Sequence, residues 1–244
     1  MGMGAKSTAS QALRTCAAAL AVLSAAPPAH ADWRADIGTF RIGIVAEPGG
    51  GNTVPGLARL TDAYTNALGM KVEFVVARDY AALIEAQASG RLQYAVYSAL
   101  AYATASVRCG CVEPLVAPVD ADGAAGVRSL LVTRDGKVPG LTAIASHRID
   151  TGGTILRLAA AGVPKTSLRV LWSSAPLRYG PHAVRSDLDA EAKRRLAVFL
   201  TNLKSLTPDV YDLLEPTHSG GFELAVSKDY ATALAIVRRG TRGD

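Results

Sequence analysis

Side chains able to hold a small ion recur in two short stretches. "QYAVYS" at 93–98 ends in Tyr97 and Ser98, with Tyr102 one turn further on. "RIDTGGTI" at 148–155 carries Thr151, Gly152, Gly153 and Thr154. Each sets hydroxyl groups and small residues ahead of an expected helix start, where backbone amides have no partner in the helix's own ladder. Hydroxyl and amide donors converging on one point suit an oxyanion. Glu47 and the "PGGGN" after it close a β-rich run; they offer either ligand contact at a sheet edge or a plain turn, without the Lys and spacing of a nucleotide P-loop. Tyr80 follows the helix-capping Asp79, and Trp172 and Ser173 end the run "LRVLWSS". These three join the candidate set as edge residues, with helix-start packing or core burial as the alternative for the aromatics.

Other chemistries find less support. His147, His182 and His218 have no metal-ligand spacing, and Cys109 and Cys111 in "RCGCVE" are too sparse for a metal site by themselves. In an oxidising compartment that Cys-Gly-Cys pair is expected to be structural, as a small disulfide or by pairing with another chain. No Gly-x-Ser-x-Gly elbow, His-Glu-x-x-His pair or shared carboxylate motif occurs, so no enzymatic activity and no cofactor are expected.

The elements that would position these groups follow from periodicity. Alternating, β-branched runs at 39–46, 71–77 and 92–98 read as strands. Between them lie helical patterns closed by Gly69 and Gly90, and a further helix follows at 99–107. Strand-helix alternation predicts an α/β fold with a mostly parallel sheet flanked by helices. "VEPLVAPV" and "GVRSLLVTR" read as two more strands, separated by the polar "DADGAAG" where the chain crosses to a second unit. There "ASHRIDTGGTI" at 145–155 repeats the pattern of "ASGRLQYAVYS" at 88–98. "LRVLWSS" and "PHAVR" are strands, 187–204 is an amphipathic helix capped by Asp187 or Asp189, and "PDVYDLLEP" and "SKDYATALAIVRR" are closing helices.

The first residues carry Lys6 and Arg14, the apolar run "CAAALAVLSAA" and "AHA" at 29–31. The run is too short to span a membrane, so residues 1–31 read as a signal peptide cleaved near Ala31, with export to the periplasm and no membrane-spanning segment in the mature chain. Removing 31 residues from 244 leaves 213, and the formal charge falls from +5 to +3. That mild excess, with no Lys/Arg block, argues against nucleic acid as a partner.

As an ordered set, these segments resemble the periplasmic substrate-binding proteins of phosphate/phosphite/phosphonate ABC importers. "FRIGIVAEP" is similar to the family's opening strand and loop, 57–105 to its long first-lobe stretch, and "LRVLWSSAPLRYGPHAVRSDLDAEAKRRL" to its late strand, Pro-rich turn and returning strand. The resemblance implies a two-lobed Venus-flytrap fold: 32–119 as lobe I, 120–184 as a reduced lobe II with crossover strands, and 185–244 as C-terminal helices packing back on lobe I. The family's Ser-Thr-Ser-Gly stretch has no counterpart, hence the reduction. It also implies capture of a phosphate- or phosphonate-like small-molecule anion between the lobes, with delivery to an ABC transporter permease at the inner membrane. A sensory or accessory binding module of the same fold is the alternative.

Overall fold

The computed structural model describes residue 1 and residues 32–45, 54–133 and 168–240. A short helix α1, Trp33–Ile37, leads into β1, Phe40–Val45. Then come α2, Leu57–Leu68; β2, Val72–Ala77; α3, Tyr80–Ala88; β3, Tyr94–Val96; and α4, Ala99–Cys109. Local chemistry sets these boundaries. Asp79 caps α3 by accepting from the Ala82 amide at 2.7 Å, and Ser98 caps α4 by accepting from the Ala101 amide at 3.2 Å. Gly69 and Gly110 end α2 and α4 in the left-handed conformation that only glycine adopts without cost. In α2 the buried residues are Leu60, Tyr64 and Leu68, at the four-residue spacing of one helical stripe.

The later elements are β4, Val112–Val119; β5, Gly126–Val127; β6, Leu130–Thr133; β7, Arg169–Ser173; β8, Leu177–Arg178; and β9, His182–Arg185. They are followed by α5, Ala190–Leu206; α6, Pro208–Leu214; β10, Gly221–Leu224; a 3-10 turn, Ser227–Tyr230; and α7, Ala231–Gly240. Six strands form one sheet in the order β10-β4-β9-β3-β1-β2. β1 runs parallel to both β2 and β3, whereas β9, β4 and β10 join through antiparallel pairings. The α/β architecture is the expected one, and its sheet is mixed.

The connections place α2 and α3 on opposite faces. The chain leaves β1 for β2 on one side, then returns past β1 to β3 on the other, and right-handed crossovers put the two helices on different faces. β1 and β3 are therefore neighbours whose connections diverge. Side-chain alternation divides the core accordingly. Phe40, Ile42, Tyr94 and Val184 face a cluster with α2 and α5, while Ala95, Tyr97 and Ala183 face a second cluster with α3 and α4.

Several boundaries differ from expectation. "GVRSLLVTR" is not one strand but β5 and β6, which pair separately with β8 and β7 in two-stranded ribbons. Gly126 lies so close to β8 that a side chain there would meet the Leu177 carbonyl, which explains the short, tight β5–β8 pairing. The closing region is not wholly helical. Periodicity missed β10, because its Phe222 is buried while Glu223 and Leu224 are exposed at a sheet edge. Ser227–Tyr230 is a 3-10 turn before α7, since the Asp229 carboxylate accepts from the Val226 amide and fixes a tighter start. Asp189 caps α5; Asp187 is held by Arg185 instead, at 2.8 and 2.6 Å. β9 crosses the anticipated 184/185 boundary and sits at the centre of the main sheet. The repeated unit at 145–155 lies outside the described residues.

Candidate functional site

A cavity of about 660 Å³ opens where β1 and β3 end. This is the point at which the strand order reverses, and open α/β sheets bind ligands outside the strand ends at such points. Ile44, Leu60, Phe74 and Val96 form its apolar lining, with Tyr80 and Asp212 also on it. Ile44 and Val96 point to the α2 side of the sheet by the same alternation that buries Ile42 and Tyr94. Tyr80 arrives because Asp79 fixes the first turn of α3, leaving the ring 40% exposed. Leu213, Leu214 and Pro216 close the cavity from α6 and the residues after it. In the sequence these residues read as part of a closing helix with no link to a site. The available signal was "DLLEP", an acid and two leucines at a helix end without an obvious partner.

The turn from β3 into α4 lies at the same sheet edge, but its groups are used differently from expectation. The Tyr97 amide is not a free donor; it bonds to the Pro181 carbonyl at 3.0 Å. The Tyr97 ring is 3% exposed, on the α3/α4 side and away from the cavity residues, and its hydroxyl has no hydrogen-bond partner among the described residues. Burial pushes that phenol's pKa up. Ser98 is half-buried and serves as the α4 cap. Tyr102 is fully buried, its ring packed edge-on against Tyr230 at 4.8 Å. Tyr97 and Tyr102 thus belong to the packing between α3, α4 and α7.

Trp172 and Ser173 sit on the separate β6–β7 ribbon, with Trp172 45% exposed and Ser173 paired in register with Leu130. The structure does not bring them to the cavity. Glu47 and Thr151, Gly152, Gly153 and Thr154 lie outside the described residues. Cys109 and Cys111 are joined by a disulfide that ties the end of α4 to the start of β4.

His182 is built into the core. Its Nδ1 bonds to the Tyr94 hydroxyl, which in turn meets the Tyr64 hydroxyl at 2.9 Å. The ring packs against Phe222 at 4.6 Å, and Nε2 has no partner among the described residues. Burial lowers the imidazole pKa to about 3, so it stays neutral. Among the described residues no group of three His, Cys, Asp or Glu side chains could hold a metal ion, and no helix is long and apolar enough to cross a membrane.

Residues 42–149 and 141–230 match the family described as the phosphonate ABC transporter periplasmic substrate-binding protein. No curated protein matches. Among solved structures, a Xanthomonas citri protein bound to ATP superposes with a TM-score of 0.59 at 16% identity, covering 83% of this chain and 98% of its own. A binding-protein component of an ABC phosphonate transporter from Pseudomonas aeruginosa gives 0.51 at 18% identity, with coverage of 82% and 84%. A Prochlorococcus marinus protein in complex with methylphosphonate gives 0.58 at 12% identity, with coverage of 84% and 98%. At these identities the structures speak for the fold, that of the two-lobed periplasmic binding proteins. The family match spans most of the sequence and describes binding proteins, not enzymes. This chain belongs to the periplasmic substrate-binding proteins of phosphonate ABC transporters.

Proposed function

We propose that this protein is exported with cleavage near Ala31, captures a small solute, and presents it to an ABC transporter permease at the inner membrane. The observation that carries the reading is the cavity at the ends of β1 and β3, where the fold's topology favours ligand binding. Closure of a second lobe over the bound solute would stabilise the state a permease recognises. Residues 120–184 are the proposed reduced second lobe, entered and left through the β5–β8 and β6–β7 ribbons.

Family membership supports a phosphate- or phosphonate-like oxyanion as the solute. So does the start of α4, where Ser98 accepts from the Ala101 amide and retains its own proton to donate. The amides of Ala99 and Leu100, in the first helical turn, add further donors. Glu47, Tyr80, Tyr97, Tyr102, Thr151, Gly152, Gly153, Thr154, Trp172 and Ser173 complete the residues to be tested. The experiment is thermal unfolding of the mature protein with phosphate, phosphite and methylphosphonate. A ligand at a hundred times its Kd adds about 2.7 kcal/mol of stability, which is a rise of several degrees. An unchanged melting temperature with all three removes the oxyanion reading.

A further inference from the structure

We infer that the Cys109–Cys111 disulfide is a redox-exchange site, a bond that small thiols such as glutathione open and re-form while the protein stays folded. Solute binding uses neither cysteine, so this inference stands apart from the oxyanion reading. The fold protects the bond weakly, because the bond closes a loop of only three residues. Linkage is reciprocal: the factor by which a cross-link stabilises the fold is the factor by which the fold stabilises the cross-link. For three residues that factor is on the order of tenfold, against about three-thousandfold for a loop of about a hundred residues. A disulfide so little protected belongs with the exchangeable ones and not with the long-loop bonds that resist the thiol pool.

The local structure receives the opened bond without unfolding. Backbone bonds that involve no sulfur hold both ends of the turn. The Gly110 amide donates to the Ser106 carbonyl at 2.9 Å, and the Ser186 amide donates to the Cys111 carbonyl at 2.8 Å. The Cys111 amide donates to Cys109 Sγ at 3.2 Å, and the Ala105 carbonyl lies 3.5 Å from the same sulfur. A Cys109 thiolate therefore has a donor waiting, and a Cys109 thiol has an acceptor. Both cysteines are half-buried, and Arg108 and Gly110 beside them are exposed, which leaves the turn open to solvent. Exchange then runs in two steps. A first thiolate attacks Cys111 Sγ, the disulfide breaks, and Cys109 leaves as the thiolate that the Cys111 amide stabilises. A second thiolate attacks the small-molecule sulfur of the mixed disulfide and releases Cys111. Two thiols are oxidised to one disulfide, and the cysteine pair takes up their two electrons and two protons.

The test is equilibration of the mature protein with glutathione buffers of stepped composition, in native buffer and in denaturing urea, followed by acid quench, alkylation and mass spectrometry. Circular dichroism on the same samples reports the fold. Reduction of the folded protein should need a glutathione ratio on the order of tenfold more reducing than reduction of the unfolded chain, with the native spectrum kept throughout. A shift above about a hundredfold, or loss of the native spectrum as the thiols appear, makes the bond a structural staple and overturns the inference. Two variants test access and direction. Cys109→Ser, which leaves Cys111, should form its mixed disulfide with oxidised glutathione several-fold faster than Cys111→Ser, which leaves Cys109. No adduct on either folded variant shows both sulfurs to be sealed and also overturns the inference. A faster adduct on Cys109 overturns the assigned order of attack.

Discussion

Gly180 lies flat against the peptide that joins Tyr97 to Ser98: a Cβ on it would stand 1.8 Å from the Tyr97 carbonyl oxygen and 2.8 Å from the Ser98 Cα. The neighbouring Pro181 carbonyl accepts the Tyr97 amide at 3.0 Å. The returning chain before β9 is thus clamped directly onto the turn that starts α4.

Gly180→Ala is therefore expected to destabilise strongly. The obstacle is backbone and cannot rotate away, so the loss should reach about 3 kcal/mol, at the upper end for overpacking. Gly240→Ala, with no described atom within 4 Å, is the control and should leave the urea midpoint unchanged or slightly raised. Equal midpoints for the two variants would show that the clamp is loose.

Ser98 has two separable tasks. Ser98→Ala removes the α4 cap and should lower stability by about 1 kcal/mol. It should weaken a bound oxyanion by about 1–2 kcal/mol through loss of a donor to a charged group. Ser98→Asp restores a good cap and places negative charge at the donor site. It should match the wild type in unfolding yet bind no methylphosphonate. Wild-type affinity in that variant would move anion binding away from α4.

Acid should destabilise the fold through His182. Its pKa is depressed to about 3 by burial, so the unfolded chain, titrating near 6.5, takes up the proton first. The stability is fully present above pH 6.5 and is lost as pH falls toward 3. By pH 5 the loss from this group is about 2 kcal/mol. Asp187, held low mainly by its hydrogen bonds to Arg185, adds loss in the same direction but only within the carboxylate range. Denaturation midpoints measured from pH 7.5 to 5 should fall for the wild type and flatten for His182→Phe, which keeps an aromatic ring beside Phe222. Parallel slopes would exclude His182 as the cause.

The disulfide closes only a three-residue loop, so little chain entropy is at stake. Reduction, or the double change Cys109→Ser and Cys111→Ser, should cost about 1.5 kcal/mol by the loop-closure relation. At about 2–4 °C per kcal/mol for a protein of this size, the melting temperature should drop by about 3–6 °C. A fall of 15 °C would mean the pair does more than fasten α4 to β4.

What the sequence determined was local. Alternation in "FRIGIV" and "VEFVVA", the four-residue spacing of Leu60, Tyr64 and Leu68, and the caps at Asp79 and Ser98 placed the first strands and helices nearly to the residue, because each signal acts within one turn or one strand. The order of segments also carried the family resemblance. What only the tertiary structure decided was which face each group met. Tyr97 and Val96 are adjacent in sequence, yet the pleat sends one into the α3/α4 packing and the other to the cavity. Asp212 reaches the site from a helix more than a hundred residues after β3, and β10 exists because β4 offers it an edge to pair with. A binding site depends on such long-range proximity, and proximity is set by the path of the whole chain and not by any one stretch of it.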